Sequence, residues 1–208
     1  MIYETKHFPN IGYITSLFTN EQLDPIRKEV ENIKHNFDSA DTVNHRLVGH
    51  LKHEYDLTKC KPYMEDLLRP LVFGYTKEFN ILEDYSLPND PTNLFLDSVW
   101  VNFQQKHEFN PVHYHSGILS FVLWLNVPYN SYMENNLYPN VNGGSQTSAF
   151  CFHYISSIGD IKTKLIHADE TYENRIVMFP SRLRHSVNPF YTSDRFRISI
   201  SGNFLIRN

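Results

Sequence analysis

What most constrains this chain is the series of short apolar runs that fills its second half. LFLDSVWVNF, ILSFVLWLNV, AFCFHYI, RIVMFP and FRISISGNFL follow one another from residue 93 onward, each cut off by turn-forming or polar residues. Runs of that length, rich in β-branched and aromatic side chains, are strands. A succession of them separated by turns packs as an antiparallel sandwich or barrel. Fifteen Phe and thirteen Tyr supply the bulky side chains that such a core needs.

The first half reads differently. Ile2 to Thr15 alternates loosely and is expected to hold a first strand. Thr19 and Gln22 have the spacing of a capping box, and Leu23, Ile26, Val30 and Ile33 recur behind it at helical intervals. These predict a helix over 21–37. A polar stretch with His45, His50 and His53 follows. A second helix is predicted from Pro62, a residue suited to the first helical turn, with Met64, Leu67, Leu68, Leu71 and Tyr75 as its buried stripe and a kink at Pro70. The turn-rich 86–91 marks the change of character. The predicted organisation is one domain over 1–208, in which a strand and helices in 1–92 support a β core in 93–208. Tyr129 to Thr147 is too long for a tight hairpin and is the candidate lid, with Gly143 and Gly144 as its hinge.

Composition excludes several functions. A net charge of -4 and a pI near 6.2 give no electrostatic case for nucleic acid or an anionic membrane as partner. No signal-peptide pattern opens the sequence, and no apolar stretch is long enough to span a bilayer. Cys60 and Cys151 show no framework spacing and fit two free thiols in a reducing cytosol. The expected setting is intracellular, cytoplasmic and soluble, as a monomer or a homodimer.

Three features of the β half carry chemistry. His113 and His115 stand two apart, so on an extended segment both point to one face and both can reach one metal. His185 follows an apolar strand and a Pro turn, at the start of the next strand. In Arg195-Phe196-Arg197-Ile198-Ser199-Ile200-Ser201 the alternation sends Arg195, Arg197, Ser199 and Ser201 one way and the apolar residues the other. If the polar face is inward, the arginines must meet an anion, because an unpaired buried charge is prohibitive. A guanidinium matches a carboxylate bidentately. Each feature alone has an ordinary alternative: surface histidines in the first two cases, a wet outer sheet face in the third.

Together, His-x-His, a distal His and Arg-x-Ser some twelve residues later resemble the Fe(II)/2-oxoglutarate-dependent oxygenase superfamily. WVNFQQKHEFNPVHYHSGILSFVLWL, FPSRLRHSVNP and RISISGN are similar in particular to a branch with Trp-x-Asn, His-x-His and Arg-Ile-Ser, and VGHLKHEY is of a type found in phage-encoded relatives. The resemblance covers 93–208 well and the N-terminal helices loosely. It implies a double-stranded β-helix (a cupin-like jelly roll) with Fe(II) on His113, His115 and His185, and 2-oxoglutarate as co-substrate. The co-substrate's distal carboxylate would lie on Arg197 and Ser199, with Arg195 in reserve and Asn102 and Trp124 as further contacts. The implied reaction is hydroxylation of an aliphatic C–H in a small-molecule or peptidyl substrate, releasing succinate and carbon dioxide.

One departure from the superfamily stands out. His115 occupies the position where most members carry a carboxylate, which gives three neutral ligands. That ligand set is also found in cupin-type dioxygenases that use no 2-oxoglutarate. A second register, with His115 as first ligand and Gly117 at the acid position, would resemble halogenating members. A jelly-roll binding protein without metal is the non-enzymatic alternative. His107 and His153 are expected near the mouth.

Overall fold

The computed structural model describes residues 11–37, 40, 42–140 and 145–207. The expected strand at the N-terminus is β1 (Ile14–Leu17), later than the alternation suggested; residues 1–10 lie outside the described residues, as do the proposed hinge glycines. Helix α1 (Asn20–Lys34) starts on the capping box: Gln22 N–H donates to Thr19 Oγ1 at 3.3 Å and Thr19 N–H to Gln22 Oε1 at 2.9 Å. It stops short of the predicted Phe37, where His35 makes the C-cap.

Strand β2 (Glu54–Asp56) arises in the polar stretch where no element was predicted. Helix α2 (Lys61–Phe79) has its proline in the first turn and continues through Pro70. Its N-cap, Cys60, supplies no capping oxygen. The carboxylate of Glu29 on α1 does so instead, accepting from Lys59 N–H at 3.0 Å and Cys60 N–H at 2.6 Å. The two helices are thus joined by one buried anion. Asn80, left-handed at φ 48, ends α2 and leads into the one-turn α3 (Ile81–Asp84).

The β core follows in the predicted order: β3 (Leu94–Gln104), β4 (Asn110–His113), β5 (Leu119–Asn126), β6 (Phe150–Ile155), β7 (Ile161–Ile166), β8 (Arg175–Pro180), β9 (Arg184–Val187) and β10 (Arg197–Ile206). Inside the candidate lid lies the short α4 (Ser131–Asn135), capped by Asn130. Six strands in the order β1-β8-β5-β10-β3-β2 form one antiparallel sheet, and β4-β9-β6-β7 form the other. That is the strand arrangement of a double-stranded β-helix.

The larger sheet is buried on both faces. One face, with Val99, Val101, Phe103, Ile198 and Ile200, packs on Leu23, Ile26, Val30, Met64 and Leu68 of the helices. Trp124, Val122, Val177 and Phe179 on the other face meet Phe150 and Phe152 of the smaller sheet. Each fully buried Leu, Ile or Phe side chain contributes roughly 1.5–3 kcal/mol. This two-sided burial decides the question left open for β10. With Ile198 and Ile200 under the helices, Arg197, Ser199 and Ser201 point between the sheets, not into water. Among the described residues no helix is long and apolar enough to cross a membrane. Cys60 and Cys151 are buried free thiols, and burial pushes both thiol pKa values up.

Candidate active site

A narrow cleft lies between the sheets, and its lining includes His113, His115, His185, Trp100, Asn102, Gln104, Glu54, Ser199 and Ser201. Strand pairing builds the histidine cluster. His113 ends β4 directly opposite His185 on β9, and their ring centroids lie 4.3 Å apart. His115 falls just beyond β4, but the chain stays extended enough to return it to the same side. Val112 and Tyr114 between and before them are exposed. Its ring centroid is 4.9 Å from His113 and 5.1 Å from His185. One ring nitrogen from each of the three lies within 4.8 Å of the others, and no carboxylate joins them among the described residues.

The donor chemistry fits a divalent transition metal. His113 Nδ1–H donates to Pro111 C=O at 2.7 Å and His185 Nδ1–H to Leu183 C=O at 2.9 Å. Those bonds hold both rings in the tautomer that leaves an Nε2 lone pair free, a common arrangement for metal-binding histidines. Burial pushes all three imidazole pKa values down, that of His115 to about 4 with help from His113, and that of His185 well below its ordinary value. The rings are therefore neutral at physiological pH, as ligation requires. Trp100 packs edge-on to His115 at 5.6 Å, and Phe150 and Phe179 flank His185.

Arg197 is 2% exposed and points to the same side of β10 as Ser199. It donates to Gln104 Oε1 through Nε (3.1 Å) and Nη2, to Tyr129 Oη at 2.6 Å, and to the carbonyls of Ser148 (2.9 Å) and Asn188 (3.3 Å). All of these acceptors are neutral. The buried carboxylate of Glu134 is engaged elsewhere, by Tyr191 and Thr192 N–H groups. A buried guanidinium with neutral partners only is a site that favours an incoming anion.

Not every predicted site residue reaches the cleft. Asn102 does; its amide nitrogen lies 3.3 Å from Ser201 Oγ and 3.5 Å from Ser199 Oγ. Arg195 does not. Strand β10 begins only at Arg197, so the alternation does not extend back to Arg195, which is exposed and borders an outer groove with Arg27 and Lys34. Trp124 faces inward, but it sits against Phe150 and Tyr172 in the apolar core and makes no part of the cleft lining. His107 rests on Tyr191, and His153 bonds Ser186 and Thr163; neither lines the cleft. Gln104, Tyr129 and Glu54 were not anticipated. Gln104 could have been found by carrying the inward alternation of Asn102 two residues further.

Residues 98–203, just over half of the chain, match the profile of a family described as "Putative 2OG-Fe(II) oxygenase". The chain belongs to this family. No curated protein sequence matches. Solved structures give the fold. A Pseudomonas putida prolyl-4-hydroxylase superposes with a TM-score of 0.60 at 12% identity, over 95% of this chain and 94% of that one. An oxidoreductase of the 2OG-Fe(II) oxygenase family from Burkholderia pseudomallei gives 0.53 at 13%, over 95% and 85%. The epimerase SnoN, in complex with Fe3+, alpha ketoglutarate and nogalamycin RO, gives 0.50 at 11%, over 94% and 79%. The protein is thus a 2OG-Fe(II) oxygenase with iron and 2-oxoglutarate as its cofactor and co-substrate. This decides against the cupin-type and non-enzymatic alternatives.

Proposed function

We propose that this oxygenase holds Fe(II) on His113, His115 and His185, grips the distal carboxylate of 2-oxoglutarate with Arg197 and Ser199, and hydroxylates an aliphatic C–H of a small-molecule or peptidyl substrate. The observation that carries the reading is the convergence of three neutral imidazoles, two with their Nδ1–H groups already spent on carbonyls, in one cleft with Ser199 and with Gln104, an acceptor of Arg197. Bound iron with 2-oxoglutarate supplies the oxidising power, with succinate and carbon dioxide as by-products.

The chain's own residues bind, orient and exclude. Pro111 and Leu183 carbonyls fix the imidazole planes. Phe150, Phe179 and Val122 keep water from the inner wall. A carboxylate arriving at Arg197 takes over the donors that now rest on Gln104, and Ser199 Oγ, two residues along the same face, adds a hydrogen bond. Ser120, Ser181 and Asn203 bond one another and brace β5 against β10 close to the cleft. With His115 in place of an anionic ligand the metal site keeps more positive charge, which favours a dianionic co-substrate.

The test is an anaerobic Fe(II) titration followed by 2-oxoglutarate, watched for the weak visible charge-transfer band of the chelated co-substrate. The expected result is a band at one iron per chain. Iron bound without the band overturns the proposal.

A further inference from the structure

The cleft leaves two buried acceptors without a donor. Glu54, 1% exposed, has an Oε2 atom that nothing among the described residues hydrogen-bonds, and the same holds for Oδ1 of Asn110. Both residues line the cleft that holds the histidine cluster. They also adjoin one small space. A Cβ added to Gly49 would press on Asn110 Oδ1 and lie 3.0 Å from Glu54 Oε1, so the covering segment lies closely over both side chains.

Several donors around them are already committed. Trp100 Nε1–H donates to Asn102 Oδ1, the Asn102 amide to Ser201 and Ser199, and the Gln104 amide to Glu108 C=O at 2.5 Å. Glu108, the neighbouring carboxylate, is satisfied by Lys52 N–H at 3.1 Å and Gln105 N–H at 2.8 Å. Of these two carboxylates, Glu54 is the one left without a hydrogen-bond donor on Oε2 among the described residues. Leaving a buried carboxylate unpaired costs more than leaving a neutral acceptor so, and such groups persist where a partner from outside completes them. Burial and Glu108 together push the Glu54 carboxyl up to about 7, which reports the same unmet demand.

Position ties these oxygens to substrate recognition. Glu54 lies on β2, paired with Asn102 on β3, at the edge of the larger sheet; His50 bridges to Phe109 beside β4. Residues 42–56 therefore close the gap between the first strands of the two sheets. Beyond Trp100 and His115 the outer mouth is bordered by Asp56 and Asp97, with Arg46 its single fixed cation, and that cation is paired to Asp56 at 2.5 Å.

We infer that Glu54 and Asn110 form a substrate subsite for a cationic nitrogen, an ammonium or guanidinium, which donates to the Glu54 carboxylate and the Asn110 carbonyl oxygen while the carbon chain next to it passes the histidine cluster. This rests on the reading of that cluster as the iron site and adds the chemical class of the substrate to it.

The test is anaerobic calorimetry on the Fe(II)- and 2-oxoglutarate-loaded enzyme with methylguanidinium and n-butylammonium, against their neutral counterparts N-methylurea and butan-1-ol. The charge-transfer band is recorded on the same samples. The cations are expected to bind at least tenfold more tightly than their counterparts. Glu54→Gln should abolish that preference and leave the band unchanged. Gly49→Ala, which fills the subsite without removing the acid, should weaken the cations as well. Equal binding of cation and neutral probe by the wild type overturns the subsite: Glu54 is then closed upon Asn110, by a proton or by the carboxamide turned over. A cation preference that survives in Glu54→Gln overturns it too. A missing band with iron bound and a Glu54-dependent cation preference intact would overturn the iron-site reading and uphold the subsite.

Discussion

His113 and His185 are register partners across β4 and β9, so backbone pairing itself sets their rings side by side, tilted by 56° with centroids 4.3 Å apart. The pair of rings is therefore as rigid as the strand pair that carries it. His115, two residues beyond the strand, is the proposed ligand with freedom to adjust.

Removing one of the paired rings should remove the metal. His185→Ala is expected to lower Fe(II) affinity by more than the roughly 10- to 100-fold typical of losing an outer-shell partner of a ligand. Metal analysis after anaerobic desalting measures this, with the far-ultraviolet spectrum showing that the β fold persists. Stoichiometric iron in the variant would show that His185 does not ligate.

Arg197→Ala should separate co-substrate from metal. The variant loses the charge-assisted bonds to the carboxylate, worth about 1.5–3 kcal/mol each, so 2-oxoglutarate should bind at least tenfold more weakly while iron content stays unchanged. It also leaves Gln104 Oε1, Tyr129 Oη and the Ser148 carbonyl without their donor. Thermal stability should fall by about 1–3 kcal/mol. Spectroscopic titration with 2-oxoglutarate and a urea melt check the two parts independently.

Acid should destabilise the metal-free protein through the three imidazoles. Their pKa values are depressed by folding, so below about 6.5, the ordinary histidine value, the unfolded chain takes up protons that the folded chain refuses. Stability from this cluster is intact above pH 6.5 and is lost as pH falls toward 4, where His115 charges in the folded state. Melting temperatures of the metal-free protein at pH 7.5, 6 and 5 should decline in that order. Replacing His115 and His185 together by Asn should flatten the trend.

Glu54 works in the opposite sense. Its carboxyl is raised to about 7, so the folded chain holds a proton that the unfolded chain releases above about 4.5. The resulting penalty is absent in acid, grows through that window and is complete above pH 7. Glu54→Gln should therefore be more stable than the wild type at pH 8, by on the order of 1–3 kcal/mol, and the difference should shrink toward pH 4.5. Chemical denaturation at the two pH values measures it. A variant less stable at pH 8 would show that the carboxylate has a partner within the fold.

The core and the histidine cluster were legible because their residues obey short-range rules. Alternation marks a strand without knowledge of its neighbours, and His-x-His on an extended segment shares a face wherever the segment goes. The same rule placed Ser199 and Asn102 correctly. It failed at Arg195 because the strand begins two residues later, and nothing local marks that start. Trp124 was given a polar role on the strength of its inward face; Phe150 and Tyr172, distant in sequence, fill the space around its indole instead. Tyr129, read as the start of a lid, is a buried partner of Arg197. Glu54 carries no sequence signal at all. It sits in a polar stretch with no period, and its burial comes from pairing with a strand that follows some forty residues later and from the Gly49 segment that covers it.

Strand β10 is hydrogen-bonded on both sides, by β3 and β5, and wedged between helices and cleft. Moving it as a segment would unzip the middle of the molecule. Among the described residues, the three-residue β2 at the sheet's rim is held on its outer side only by a short bridge, Thr42 to Tyr55, with Val43 N–H donating to Glu54 C=O. A lineage that needed to attack a new molecule could therefore rewrite residues 42–56 and keep the rest, and an engineer could graft that strip from one relative to another to redirect the enzyme.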